Sequence, residues 1–161
     1  MYILLIMGNK SDPNNGLQGL EQAEFCVCFN LRATSRAVTQ FYNASLQPSG
    51  LLSTQFSLLA ALAAKEGSVP ISTLANDLGL DRTTLARNLQ PLQRIRFIHV
   101  VPDDQDHRIQ LVSITPRGLD KLAQALPLWR QAQQHVLKQF GADRWQVLLG
   151  ELGSLSRSAQ E

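Results

Sequence analysis

The sequence predicts a mainly α-helical chain carrying a small β-wing, and three observations support that class. Residues 71–92, ISTLANDLGLDRTTLARNLQPL, read as two short amphipathic helices meeting at a glycine. Residues 97–114 hold two β-rich runs around a polar turn. On either side of this block, apolar residues recur at the i, i+3, i+4, i+7 spacing of longer helices.

In the first block, Ile71, Leu74, Ala75 and Leu78 share one helical face. Gly79 can take positive φ, which stops that helix and turns the chain sharply. Asp81 stands where a side-chain oxygen caps a second helix, whose inward stripe is Leu85, Leu89 and Leu92. Two helices, a glycine turn and a small Ala75 at the crossing make a helix-turn-helix. The second helix of that motif is the one laid into a DNA major groove. Thr83, Arg87 and Gln90 lie opposite its apolar stripe with Thr84 beside them, and Arg82 precedes them. Arg pairs bidentately with a guanine edge, Gln with adenine, and Thr bonds a phosphate or touches a thymine methyl. The plainer alternative is a solvated face, but such faces are usually built from Glu and Lys, which are absent here. Pro91 removes a backbone donor and crowds the Arg87 carbonyl, so a kink or tightened turn is expected there.

The second block reads as a hairpin with strands Phe97–Val101 and Arg108–Ile114, Val112 and Ile114 alternating in the second. Its tip holds Asp103, Asp104, Asp106, His107 and Arg108. A hairpin directly after a recognition helix is a wing, and Arg108 is placed to enter the adjacent minor groove, where a narrow A·T-rich groove attracts guanidinium. Carboxylates beside DNA are accounted for if one of them, Asp106, holds an arginine through a bidentate pair. A solvated acidic turn without a DNA role is the alternative.

From about Phe25 to its C-terminus the chain resembles the MarR family of bacterial winged-helix regulators. The wing carries most of the resemblance: Asp106-His107-Arg108, then Val112, Ile114-Thr115 and Gly118 at the family's spacing. Gln55-Phe56, Leu58-Leu59, Leu74-Ala75 and Leu78-Gly79 agree as well. Thr115-Pro116 also reads as an N-cap followed by proline in the first helical turn. Leu52 departs from the family's capping Thr, leaving the cap to Ser53 or Thr54. Arg96 departs from the Gly that usually closes the recognition helix. The resemblance implies a sequence-specific transcriptional regulator of double-stranded DNA, by default a repressor.

Residues 1–20, rich in Asn, Gly, Ser and Asp after Met7, are expected to be a flexible N-terminal segment, with Met7 a candidate natural start. Residues 21–161 are expected to form a single domain. Within it, a winged helix-turn-helix covers about 53–115 and dimerisation helices cover about 21–45 and 116–158. The boundaries expected are Glu21–Ser45, Ser53–Ala64, Thr115–Phe140 with a bend at Pro127, and Ala142–Ser156. Leu119, Leu122, Leu126, Trp129, Ala132, Val136 and Phe140, followed by Trp145, Leu148, Leu149 and Leu152, supply more apolar surface than a winged module needs. Apolar surface of that extent predicts a homodimer, and a twofold dimer predicts a palindromic operator with half-sites one helical turn apart.

With 161 residues and a formal charge of only +2, no basic tail binds DNA indiscriminately. The relevant cations cluster locally, at Arg82, Arg87, Arg94, Arg96, Arg108 and Arg117. The run Tyr2–Met7 is too short for a bilayer span or a signal segment, which points to a cytoplasmic chain without a membrane partner. No nucleophile elbow, phosphate-binding glycine loop or paired-His motif argues for an enzyme. The two cysteines and three histidines have no recognised zinc spacing, so neither metal nor cofactor is expected. A winged helix that binds protein without specific DNA contact is the alternative function.

Two switches fit the residues. The run Cys28 to Arg36, continuing to Thr39 and Tyr42, is similar to the first helix of the organic-hydroperoxide-sensing (OhrR-like) branch of the family. That resemblance implies that Cys28 is a redox-active thiol with Tyr42 hydrogen-bonded to it, although Arg32 and Ser53 replace two tyrosines of those sensors. Arg32 is then a candidate for lowering the thiol pKa. Cys26 lies about 200° from Cys28 on a continuous helix, which prevents a disulfide between them while that helix is intact. Burial as small hydrophobes is the alternative for both cysteines. The second switch is a small aromatic ligand, with Phe41, Tyr42, Phe56 and Trp129 lining a cleft and Arg32 or Arg36 receiving a carboxylate.

Overall fold

The computed structural model describes residues 24–159, so the expectations for residues 1–20 fall outside it. Spatial proximity divides the chain inside its first helix, between Gln40 and Phe41. Helix α1 covers Val27–Leu46, starting later than the expected Glu21. Its first bond runs from the Asn30 amide to the Cys26 carbonyl at 3.0 Å. The Asn30 side chain turns back to the carbonyls of Glu24 and Cys26, at 2.7 and 3.0 Å, which pins the start. Cys26 therefore sits at the cap and not within the helix, so an argument from continuous helical geometry does not describe the cysteine pair. Up to Gln40, the apolar residues Phe25, Val27, Phe29, Leu31 and Val38 are all exposed.

From Phe41 on, α1 finishes at Leu46 and a 3-10 turn at Gln47–Ser49, which sequence periodicity does not register, leads to α2, Ser53–Ala63. Neither Ser53 nor Thr54 caps α2, correcting the expectation. Leu52 holds the cap position and has no side-chain acceptor. The first donors are met instead by the Gln55 side chain, which accepts from the Leu52 amide at 3.0 Å, and by Asn43, which accepts from the Ser53 amide at 2.7 Å. An acceptor ten residues upstream replaces a local one.

Strand β1, Val69–Pro70, precedes α3, Ile71–Asp77, and α4, Arg82–Arg94. Strands β2, Ile98–Pro102, and β3, Gln110–Ile114, form the hairpin. The sheet order is β1–β3–β2, antiparallel throughout, with Val112 opposite both Val69 and Val100. Strand β2 keeps the expected length but starts one residue later, β3 is shorter than expected, and Arg108 belongs to the turn and not to β3. A two-residue strand such as β1 carries no periodicity of its own; it exists because β3 offers it an edge. Helices α5, Pro116–Phe140, and α6, Ala142–Ser158, complete the chain. Helix α4 runs through Pro91 and α5 through Pro127.

Leu46, Leu59, Leu62, Leu74, Leu85, Leu92 and Val112 are fully buried and bring α2, α3, α4 and the sheet onto one core. Each such side chain contributes about 1.5–3 kcal/mol of transfer free energy. Ala75 is buried as expected, small enough for α3 to approach α4.

Two helix ends in this core share one geometry. After α3, the Gly79 amide bonds to the Asn76 carbonyl at 3.1 Å and the Leu80 amide to the Ala75 carbonyl at 2.9 Å. After α4, the Arg96 amide bonds to the Gln93 carbonyl at 3.0 Å and the Phe97 amide to the Leu92 carbonyl at 2.9 Å. Both are Schellman ends, and both central residues have φ of 60°. Glycine accepts that conformation freely, whereas Arg96 holds it against its own Cβ.

Candidate nucleic-acid interface

The orientation of α4 is set at its first turn. Asp81 accepts from the Thr84 amide at 2.8 Å through one oxygen and from the Thr84 hydroxyl at 2.6 Å through the other. These two bonds, the hydroxyl's first, hold the Asp81 carboxyl below its ordinary range. The cap expected at Asp81 is present. Its closure also engages Thr84: the hydroxyl proton is directed at Asp81, so Thr84 is left with its methyl and acceptor lone pairs.

Leu85, Leu89 and Leu92 face the core, and Arg82, Thr83, Arg87 and Gln90 are exposed. The ion pairs among the described residues are Lys65–Asp77 and Asp106–Arg108, so the α4 guanidinium groups are not spent on carboxylates. Lys65 and Asp77, 2.6 Å apart, tie the segment after α2 to the last residue of α3. Neither was singled out in the sequence, because a lysine and an aspartate twelve residues apart carry no local signal.

At the wing tip, Arg108 donates through Nε to Oδ1 of Asp106 at 3.0 Å and through Nη2 to Oδ2 at 3.1 Å. This is the bidentate pair anticipated from the sequence. The Arg108 side chain is 91% exposed, so the carboxylate aims the guanidinium without covering it. The Arg108 side chain, and then its amide, depress the Asp106 pKa.

The base of the wing is locked to α5. The Thr115 hydroxyl shares its proton between the carbonyls of Arg96 and Phe97, at 2.8 and 3.1 Å, and accepts from the Gly118 amide at 3.0 Å. A Cβ at Gly118 would stand 2.1 Å from the Phe97 carbonyl oxygen, so only glycine lets α5 pass there. Arg117 covers the Phe97 ring at 5.6 Å.

The expected switch residues are less gathered. Cys28 and Cys26 are exposed, which contradicts burial within the chain. Arg32 is exposed on α1. The Tyr42 hydroxyl donates to Gln133 on α5 and not to Cys28, and burial pushes its pKa up. The proposed aromatic cleft separates into two stacks. Phe56 and Trp129 stack at 5.6 Å, with Phe56 in the core, while Phe41 stacks on His135 at 5.3 Å. A shallow depression of about 350 Å³ lies beside the second stack, lined by Phe41, His135, Val136, Gln139 and Phe140.

Comparison with known proteins agrees with this architecture. The IclR helix-turn-helix domain matches residues 55–102, from α2 to the end of β2. No curated protein matches the chain. Among solved structures, the M. tuberculosis transcriptional regulator MosR in complex with DNA is 34% identical, with a TM-score of 0.76, covering 84% of this chain and 96% of its own. The PcaV regulator of Streptomyces coelicolor with its natural ligand is 26% identical at a TM-score of 0.72, covering 80% and 90%. A cysteine-to-serine mutant of E. coli MarR with operator DNA shares the fold at 21% identity and a TM-score of 0.74, covering 84% and 97%. The helix-turn-helix segment is common ground between families, whereas the MosR match extends over nearly the whole of that protein and includes the outer helices. The chain belongs to the MarR family of winged-helix transcriptional regulators.

Proposed function

We propose that this chain is a homodimeric, sequence-specific regulator of double-stranded DNA, acting as a repressor at a palindromic operator. The observation that carries the reading is the exposed face of α4, where Arg82, Thr83, Arg87 and Gln90 follow the Asp81 cap and the arginines have no carboxylate partner among the described residues. Arg87 and Gln90 read base edges, Thr83 and Thr84 touch phosphate or a thymine methyl, and Arg108, aimed by Asp106, enters the minor groove. That MosR and MarR were each solved with DNA supports the same reading. An electrophoretic shift with the duplex upstream of the chain's own gene tests it. Binding is expected to be sequence-selective and to weaken steeply with salt, and Arg87→Ala is expected to cost about 1–3 kcal/mol. Equal affinity for unrelated duplexes, or no loss on that substitution, would exclude the assignment.

The release signal is proposed to be thiol oxidation at Cys28 or a small aromatic ligand. The resemblance of α1 to the organic-hydroperoxide sensors supports the first, as does the exposure of Cys28 at the second residue of the helix, where an oxidant can reach it. A thiolate takes one oxygen from a hydroperoxide to become a sulfenic acid and releases the alcohol. Hydroperoxide is expected to free DNA from the wild type and not from Cys28→Ser; equal release from both would remove the thiol. Release by an aromatic acid alone would select the ligand.

A further inference from the structure

We infer that Arg96 and Arg117 form a phosphate-binding patch at the base of the wing, continuous through Arg94 with the reading face of α4; this rests on the DNA-binding reading above. The patch is assembled by tertiary bonds from two helices. Arg94 lies in the last turn of α4, and in the turn that follows the Arg96 amide bonds to the Gln93 carbonyl at 3.0 Å. The Thr115 hydroxyl donates to the Arg96 carbonyl at 2.8 Å, which sets the start of α5 against that turn. Arg117, two residues on, lies over the Phe97 ring at 5.6 Å. All three arginines are exposed, and none has a carboxylate partner among the described residues.

Ordinary structural uses account for two of the three. Arg94 complements the C-terminal dipole of α4, and the Arg117 guanidinium is ordered by the ring beneath it. Arg96 has no such use. It holds φ of 60°, where glycine would meet no conflict from a Cβ. Its guanidinium has no ion-pair partner among the described residues, so the strain secures nothing within the chain. A strained backbone under an exposed, unpartnered cation marks a side chain that acts on something outside the molecule.

The surroundings say what that is. Three unpartnered guanidinium groups select an anion, and their planar forks match phosphate oxygens. At the helical period, Arg94 falls on the same stripe as Thr83, Arg87 and Gln90. Helix α4 has 13 residues and is about 20 Å long, whereas the major groove is about 12 Å wide. When the first turns of such a helix reach base edges, its last turn comes out over the sugar-phosphate strand bordering the groove. The turn at Arg96, with Arg117 beside it, continues from that last turn.

Fluorescence anisotropy of the full chain on the duplex upstream of its gene, and on an unrelated duplex of equal length, tests this across a range of salt. Phosphate contacts carry no sequence information, so both duplexes are expected to respond alike. Arg96→Gln and Arg117→Gln are each expected to weaken binding about two- to thirty-fold for the two copies of the contact in a dimer. Each is also expected to lower the slope of log affinity against log salt by about 1.8 per dimer. Arg96→Lys, with the same backbone conflict and the charge retained, is expected to keep the wild-type slope. Arg96→Gly, which keeps the turn without the guanidinium, is expected to bind as weakly as Arg96→Gln. A wild-type slope in Arg96→Gln or Arg117→Gln, a loss confined to the upstream duplex, or an Arg96→Lys protein as weak as Arg96→Gln overturns the inference while leaving DNA binding intact. A wild type that binds neither duplex overturns the DNA-binding reading and this inference together.

Discussion

At the scale of single residues, Arg96 is the position where local preference and the fold disagree. It adopts φ of 60°, a conformation that costs an L-residue about 1–2 kcal/mol. Four donors around the turn enforce it: the Arg96 and Phe97 amides close α4, and the Thr115 amide and hydroxyl bind the carbonyls on the other side. Gly79 makes the same turn after α3 without strain. Replacing Arg96 with glycine relieves the Cβ conflict but gives the unfolded chain more freedom, which offsets part of the gain. Arg96→Gly is expected to raise stability by about 0.5–1 kcal/mol in urea unfolding, and Arg96→Ala to change it little. A destabilised glycine variant would mean that the arginine side chain itself supports the turn.

At the scale of the element, the recognition helix depends on its first turn. The Asp81 carboxyl titrates below its ordinary range because the Thr84 hydroxyl and amide favour the ionised form. Its contribution is therefore fully present above the ordinary aspartate range, about pH 4, and is lost as pH falls through the depressed folded value. Asp106 follows the same sign through Arg108. Urea midpoints measured from pH 6 down to pH 3 are expected to fall less steeply for Asp81→Asn, whose amide still caps but does not titrate. Identical slopes for the two proteins would show that the cap's charge plays no part. The cap was legible in the sequence because it is local: Asp81, three residues before Thr84 and four before Leu85, is a one-turn pattern. The α2 cap was misread for the opposite reason, since Asn43 reaches it from another helix.

At the scale of the whole molecule, Val147, Leu148, Leu149 and Leu155 of α6 are left exposed by the described residues. Val147 is 66% exposed and Leu149 50% exposed, and no residue of α6 is buried. Just before α1, Phe25 is 76% exposed. Their solvation is what the proposed homodimer would end. Because both α6 residues are already wet in the single chain, the double variant Val147→Asp, Leu149→Asp is expected to fold normally yet halve the mass seen by light scattering. Its operator affinity is expected to fall by about 10²–10⁴, the range lost when two linked half-sites become independent. A variant that stays dimeric, or a wild type that is monomeric, would place the interface elsewhere or abolish it.

The sequence by itself determined the helix-turn-helix, its inward leucines, the Asp81 cap, the wing and the Asp106–Arg108 pair. Each is written within a few residues, where helical and strand periods and one-turn hydrogen bonds operate. Tertiary structure alone decided the rest. It added β1, gave the Tyr42 hydroxyl to Gln133, put Phe56 in the core and not in a ligand cleft, and held Arg96 in a glycine's conformation. Those outcomes depend on partners many residues away, and a contact between distant segments leaves no period in the chain to read.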